Sequence, residues 1–91
     1  MLKDATVTQI SNTNWNEKTF TVTHSGGTGV CAGIAVSFPE EYSQSAIAYS
    51  LSFSIAMSAY LHDKKINVYN YGDKSLHGSV CHGANLIEIH N

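Results

Sequence analysis

Ninety-one residues make one domain, spanning 1–91, with room for a single modest core, and at that size a cross-link or a partner subunit adds materially to stability. The formal charge is −2 and all five basic residues are lysines, with Lys64 and Lys65 the one adjacent pair. No cationic face of the kind needed to hold nucleic acid or an anionic membrane surface is present, and low charge with many Thr, Ser, Asn and Tyr residues suits a β-rich module for neutral polar ligands or other proteins.

In chain order, KDATVTQIS carries Thr, Val and Ile at strand-favouring positions and runs into SNTNWNEK, whose Asn and Ser residues form turns. KTFTVTH is the clearest strand, with Thr19, Thr21 and Thr23 on one face and Phe20, Val22 and His24 on the other. SGGTG predicts a hairpin turn, because adjacent glycines accept the positive φ of tight connections. VCAGIAVSF predicts a third strand with Val30, Ala32, Ile34, Val36 and Phe38 on one side, ended by Pro39.

Tyr42 to Leu61 is uncharged and holds no Gly or Pro. Read as a helix, with successive residues about 100° apart, it places Ile47, Leu51, Ile55 and Leu61 on one side. Tyr49, Phe53 and Tyr60 fall almost opposite, and Ala48, Ser52, Ala56 and Ala59 form a small-residue strip between. One large face is expected to serve the domain's own core. The other predicts an oligomer interface of Tyr49, Ser52, Phe53, Ala56 and Tyr60. Large and small residues also alternate with period two, but the run exceeds ordinary strand length. Six serines dilute it below what a membrane span requires, so no membrane insertion is expected. The helix is expected to begin near Glu40–Ser43 and to end at HDKK.

INVYNY then reads as a fourth strand, Gly72–Asp73 as a turn, and SVCHGANLIEIH as a last strand with Gly83 a bulge. The order β-β-β-α-β-β is that of an OB-fold: mainly β with one helix, a five-stranded barrel with the helix between strands 3 and 4. Cys31 on the third strand and Cys81 on the fifth could then be bridged. Such a bridge is worth roughly 3–4 kcal/mol in the chain-entropy model; two buried free thiols are the alternative. MLKDATV has no apolar h-region, so no signal peptide is legible. The cysteine pair nevertheless favours a secreted or periplasmic chain whose leader has been removed.

The five histidines include the group His77, Cys81 and His82, but a structural metal site needs a second ligand cluster that is missing. No nucleophile and base pair, carboxylate pair, P-loop or dinucleotide motif is present, and neither enzyme activity nor a cofactor is expected. What is left is recognition. Trp15 among Asn12, Asn14 and Asn16 offers an aromatic platform beside amides, the chemistry that holds sugars; Tyr69 and Tyr71 share one strand face. Asp4 is a further acceptor for ligand hydroxyls. Each aromatic has a structural alternative, as a cover on the core or as half-buried strand tyrosines.

TVTQISNTNWNEKTFTV, the Cys31 segment, SQSAIAYSLSFSIAMSAYL and KKINVYNYG together resemble the B subunits of AB5 toxins, in particular the subtilase cytotoxin and pertussis-like group. The resemblance spans most of the chain in pattern, though little in identity, and the C-terminus lacks a further cysteine-containing tail. It implies OB-fold pentamers, here a homopentamer, with helices lining a central pore and strands of neighbours pairing. It also implies binding of cell-surface glycans and docking of a catalytic A subunit. A small OB-fold structural or protein-interaction module that binds no sugar is the alternative.

Overall fold

The computed structural model describes residues 1–13, 16–70, 81–82 and 84–91. Asn14, Trp15, Tyr71, the Gly72–Asp73 turn, His77 and Gly83 lie outside them. The chain runs β1 (Leu2–Thr13), β2 (Asn16–Thr28), β3 (Val36–Pro39), a 3-10 turn at Glu40–Tyr42, α1 (Ala46–His62), β4 (Lys65–Tyr69) and β5 (Leu86–His90). The class is the expected one, mainly β with one helix between β3 and β4. All ladders are antiparallel, in the order β3-β2-β1-β4-β5.

β1 and β2 form one long hairpin, closed at Thr13 opposite Asn16 and still paired at Lys3 opposite Thr28. Residues 25–28 of SGGTG are therefore strand, not the expected hairpin turn, and only Gly29 falls in the reversal that follows. Gly27 serves close packing instead: it has φ +83, and a Cβ there would lie 2.9 Å from both the Ala5 Cβ and the Lys3 carbonyl. The chain reverses later, over 29–35, so Val30 and Ile34 do not belong to a third strand. They project from the turn, 68% and 53% exposed, while Val36 and Phe38 of the short β3 are buried. Pro39 ends β3 as expected, which agrees with its missing amide hydrogen.

The helix begins later than Glu40–Ser43. Ser45 is its N-cap, its Oγ accepting the Ala48 amide at 3.1 Å, a standard way to satisfy a first-turn donor. At the other end Asp63 adopts a left-handed φ of 54°, and the amides of Asp63 and Lys64 both donate to the Ala59 carbonyl, closing the helix in a Schellman-like manner. α1 packs on β1, β4 and β5. It does so through the small strip: Ser52, Ala56 and Ala59 are buried. This corrects the assignment of Ser52 and Ala56 to an oligomer interface and of a large face to the core. Small side chains let the helix backbone settle close to the sheet, whereas a large row beneath it would hold it away. Ile47, Leu51 and Leu61 consequently point outward, 73%, 58% and 67% exposed.

The core joins Leu2, Ala5, Val7, Phe20, Val22, Val36, Phe38, Ile66, Val68 and Ile87 to the buried helix residues. Phe20 is its hub, stacked on Phe38 with ring centroids 4.6 Å apart and meeting Tyr49 and Phe53 of α1 at 5.5 and 5.3 Å. Thus Tyr49 and Phe53 are half inside and half outside.

β3 and β5 are the outer strands of an open sheet. Ahead of β5, the Ser37 amide donates to the Cys81 carbonyl at 2.8 Å and the Ala84 amide to the Ser37 carbonyl at 3.1 Å. They form an isolated parallel bridge between Ser37 and His82. The disulfide Cys31–Cys81, with Cα atoms 5.8 Å apart, fastens the same segment. Neither cysteine lies on a strand as expected: Cys31 is in the turn after β2, and Cys81 precedes β5. His24 supports that turn, its Nε2–H directed at the carbonyls of Cys31 and Ile34 at 3.1 and 2.9 Å.

Candidate functional site

The outer face of β1, β4 and β5 gathers the polar side chains. In β4, Ile66 and Val68 point into the core, so alternation sends Lys65, Asn67 and Tyr69 to the opposite face. Register then sets His90 across from Lys65, Glu88 across from Asn67 and Leu86 across from Tyr69. Asp4 joins them from β1 through an irregularity: Leu2 pairs with Val68 but Ala5 with Ile66, leaving one extra β1 residue between them. A bulge of this kind turns a side chain out of the regular alternation. Asp4 occupies it with φ 57, a conformation that Asp tolerates better than most residues.

Asn67 is the centre of the cluster. Its Oδ1 accepts the Asp4 backbone amide at 3.0 Å, replacing a ladder bond that the bulge removes, and its Nδ2 donates to Glu88 Oε1 at 3.2 Å. The His90 ring approaches the same oxygen, Nε2 to Asn67 Oδ1 being 3.3 Å. It also lies 3.1 Å from Asp4 Oδ1. Both neighbours of Nε2 are acceptors, so Nε2 carries the hydrogen and donates. The amide is engaged at both ends, while the Asp4 side chain is 65% exposed and keeps carboxylate lone pairs open to solvent. Chemically the surface offers carboxylate acceptors, a lysine donor and a tyrosine on one face, a set that matches ligand hydroxyls.

Of the residues singled out from sequence, Asp4 and Tyr69 come onto this shared face. Asn14, Trp15 and Tyr71 are outside the described residues. Asn67, Glu88 and His90 were missed. Alternation in NVY and LIEIH would have put each on a polar face, but only the β4–β5 register and the bulge at Asp4 make them neighbours. Among the described residues no group of three or more His, Cys, Asp and Glu side chains could hold a metal. No described helix is long and apolar enough to cross a membrane.

The second feature with functional bearing is α1. Its exposed surface carries Ile47, Leu51, Phe53, Tyr60 and Leu61 and no charge between Ala46 and Leu61. An apolar surface on that scale, uninterrupted by charge, marks an interaction face more often than free surface.

No curated protein and no solved structure matches the chain. One family model does, over residues 1–91: a family of unknown function, DUF5992. The chain belongs to that family.

Proposed function

We propose that this chain is an exported, non-catalytic OB-fold subunit that assembles through α1 into a ring, a homopentamer by its likeness to AB5 toxin B subunits, and that the ring binds cell-surface glycans. The observation that carries this reading is the uncharged helix with large apolar side chains exposed on both flanks of its buried strip. A second copy of α1 would cover them. The strand and helix order supports the OB reading. So does the parallel bridge at Ser37 and His82, which brings the lead-in to β5 alongside β3 where a barrel would close. The Cys31–Cys81 disulfide supports an oxidising compartment. A catalytic A subunit is the further partner this reading implies.

The glycan contacts fall to Asp4 and Tyr69 with Asn67, Glu88 and His90, and to Trp15, Asn14 and Tyr71. A ring repeats each weak site, and multivalency converts weak single contacts into useful avidity. A glycan array tests this. The assembled wild-type protein should bind defined oligosaccharides. Asp4→Asn, which keeps a residue tolerant of positive φ while removing the carboxylate, should lower the signal about tenfold or more, as should Trp15→Ala or Tyr71→Ala, with assembly unchanged. A blank array from a correctly assembled ring would leave a protein-interaction module as the better reading.

A further inference from the structure

His24 follows Phe20 and Val22 on one face of β2, beside the turn 29–35 that its own strand leads into, and the glycan reading makes no use of it. Its Nε2 stands 3.1 Å from the Cys31 carbonyl and 2.9 Å from the Ile34 carbonyl. Two acceptors require a donor between them, so the hydrogen of the neutral ring sits on Nε2. The Cys31 carbonyl also accepts the Ile34 amide at 3.0 Å, and the Ala32 amide donates to the Gly29 carbonyl at 3.1 Å. One imidazole thus fastens the turn to β2 at two points. The other ring nitrogen is left over: Nδ1 is buried and has no hydrogen-bond partner. A buried lone pair without a donor carries a modest cost. A buried N–H on a charged ring, with no acceptor, carries a much larger one.

We propose that His24 is an acid-sensitive latch: the neutral ring holds turn 29–35 against β2, and protonation at Nδ1 releases it. The closed turn offers no acceptor for the second hydrogen, whereas a ring freed into water finds one. The open turn therefore binds more protons than the closed one, and acid favours opening. Among the described residues no carboxylate pairs with the ring to reverse that sign. Turn 29–35 carries no titratable group but Cys31, which is held in the disulfide. The β1 residues opposite 23–25 are Gln9, Val7 and Thr6, and β3 is VSFP. The charged residues of β1 stand elsewhere, Lys3 opposite Thr28 and Asp4 against His90. The segment at 81–82 adds His82, whose ring meets that of Tyr42 at 6.4 Å. Opening leaves the turn tethered, because the Cys31–Cys81 disulfide stays closed. The exposed Val30 and Ile34 move with it, so the latch alters an apolar surface reversibly. It is independent of the glycan reading.

Amide hydrogen exchange of the oxidised wild type tests the latch, read by NMR from about pH 7.5 to about pH 5, where imidazoles gain their proton, and corrected for the intrinsic effect of pH. The reporters are the amides of Ala32 and Ile34, bonded within the turn, and of Cys31, which donates to the Met1 carbonyl at 3.0 Å. The His24 ring signals are followed in the same samples. Protection of the three amides should fall about tenfold or more, at the midpoint of the His24 ring titration, while the β1–β2 ladder keeps its own. His24→Gln puts an amide N–H where Nε2 stands and takes up no proton, so its turn should stay protected throughout. An equal fall in His24→Gln assigns the response to another group and overturns the inference. Wild-type protection that stays level across the range overturns it too, as does a fall at a midpoint other than that of the His24 ring. These two wild-type readings decide the matter if His24→Gln does not fold.

Discussion

Among the described residues, Asp4 and Asp63 are the two non-glycine positions with positive φ, and each stands where the chain must leave a regular ladder. Asp63 ends the helix, and Asp4 makes the bulge that presents its own carboxylate beside Asn67 and His90. Aspartate bears this conformation at modest cost because its short polar side chain can bond locally. Nothing in KDATV announces it, since a bulge depends on the partner strand. Tyr49 yields a pH prediction at this scale. Burial, then the charge of Glu40, raises its pKa above 10.0, so the unfolded chain loses the phenol proton before the folded one does. Stability is therefore unaffected by this group well below pH 10 and falls as pH rises past the unfolded value. Chemical denaturation at a series of alkaline pH values should show that fall, and Tyr49→Phe should lessen it; an identical profile in the variant would show that Tyr49 contributes nothing.

Among the elements, the helix, β4 and the core half of β2 were legible because each follows a local rule. Phe20 and Val22 alternate inward, Ile66 and Val68 do the same, and the run after Gln44 has no breaker. The side of the helix that faces inward was not legible. Apolar size suggested a large face, but the geometry of close approach selects Ser52, Ala56 and Ala59. The glycines of SGGTG misled for a related reason, because positive φ serves close strand approach as well as a turn. Most of the polar cluster escaped as well, since period two assigns a face while only register assigns neighbours. The cysteines were paired correctly without their strands. Their cross-link closes a loop of 50 residues and should contribute about 4 kcal/mol, mainly by restricting the unfolded chain. Reduction, or Cys31→Ser with Cys81→Ser, should lower Tm by roughly 15 °C or more. Calorimetry showing no change would mean that the bridge at Ser37 and the support from His24 hold the segment unaided.

For the whole molecule, the packing within one chain leaves an apolar helix surface uncovered. The helix meets its own sheet through its smallest residues and turns Ile47, Leu51, Phe53, Tyr60 and Leu61 to the outside, with no charge among them to keep copies apart. Covering such a surface with a second copy recovers the hydrophobic free energy that the fold itself forgoes. Assembly through α1 is thus the central claim, and the glycan reading depends on it for avidity. Native mass spectrometry of the oxidised protein tests it most directly, with Leu51→Glu beside the wild type. That substitution falls at a 58% exposed position and should leave the fold intact. The account predicts a wild-type mass about five times 9.9 kDa and a Leu51→Glu protein that is folded but smaller, because an unpaired carboxylate buried between copies is costly. A wild-type protein that is monomeric at micromolar concentration, or a Leu51→Glu ring of unchanged size, would contradict it.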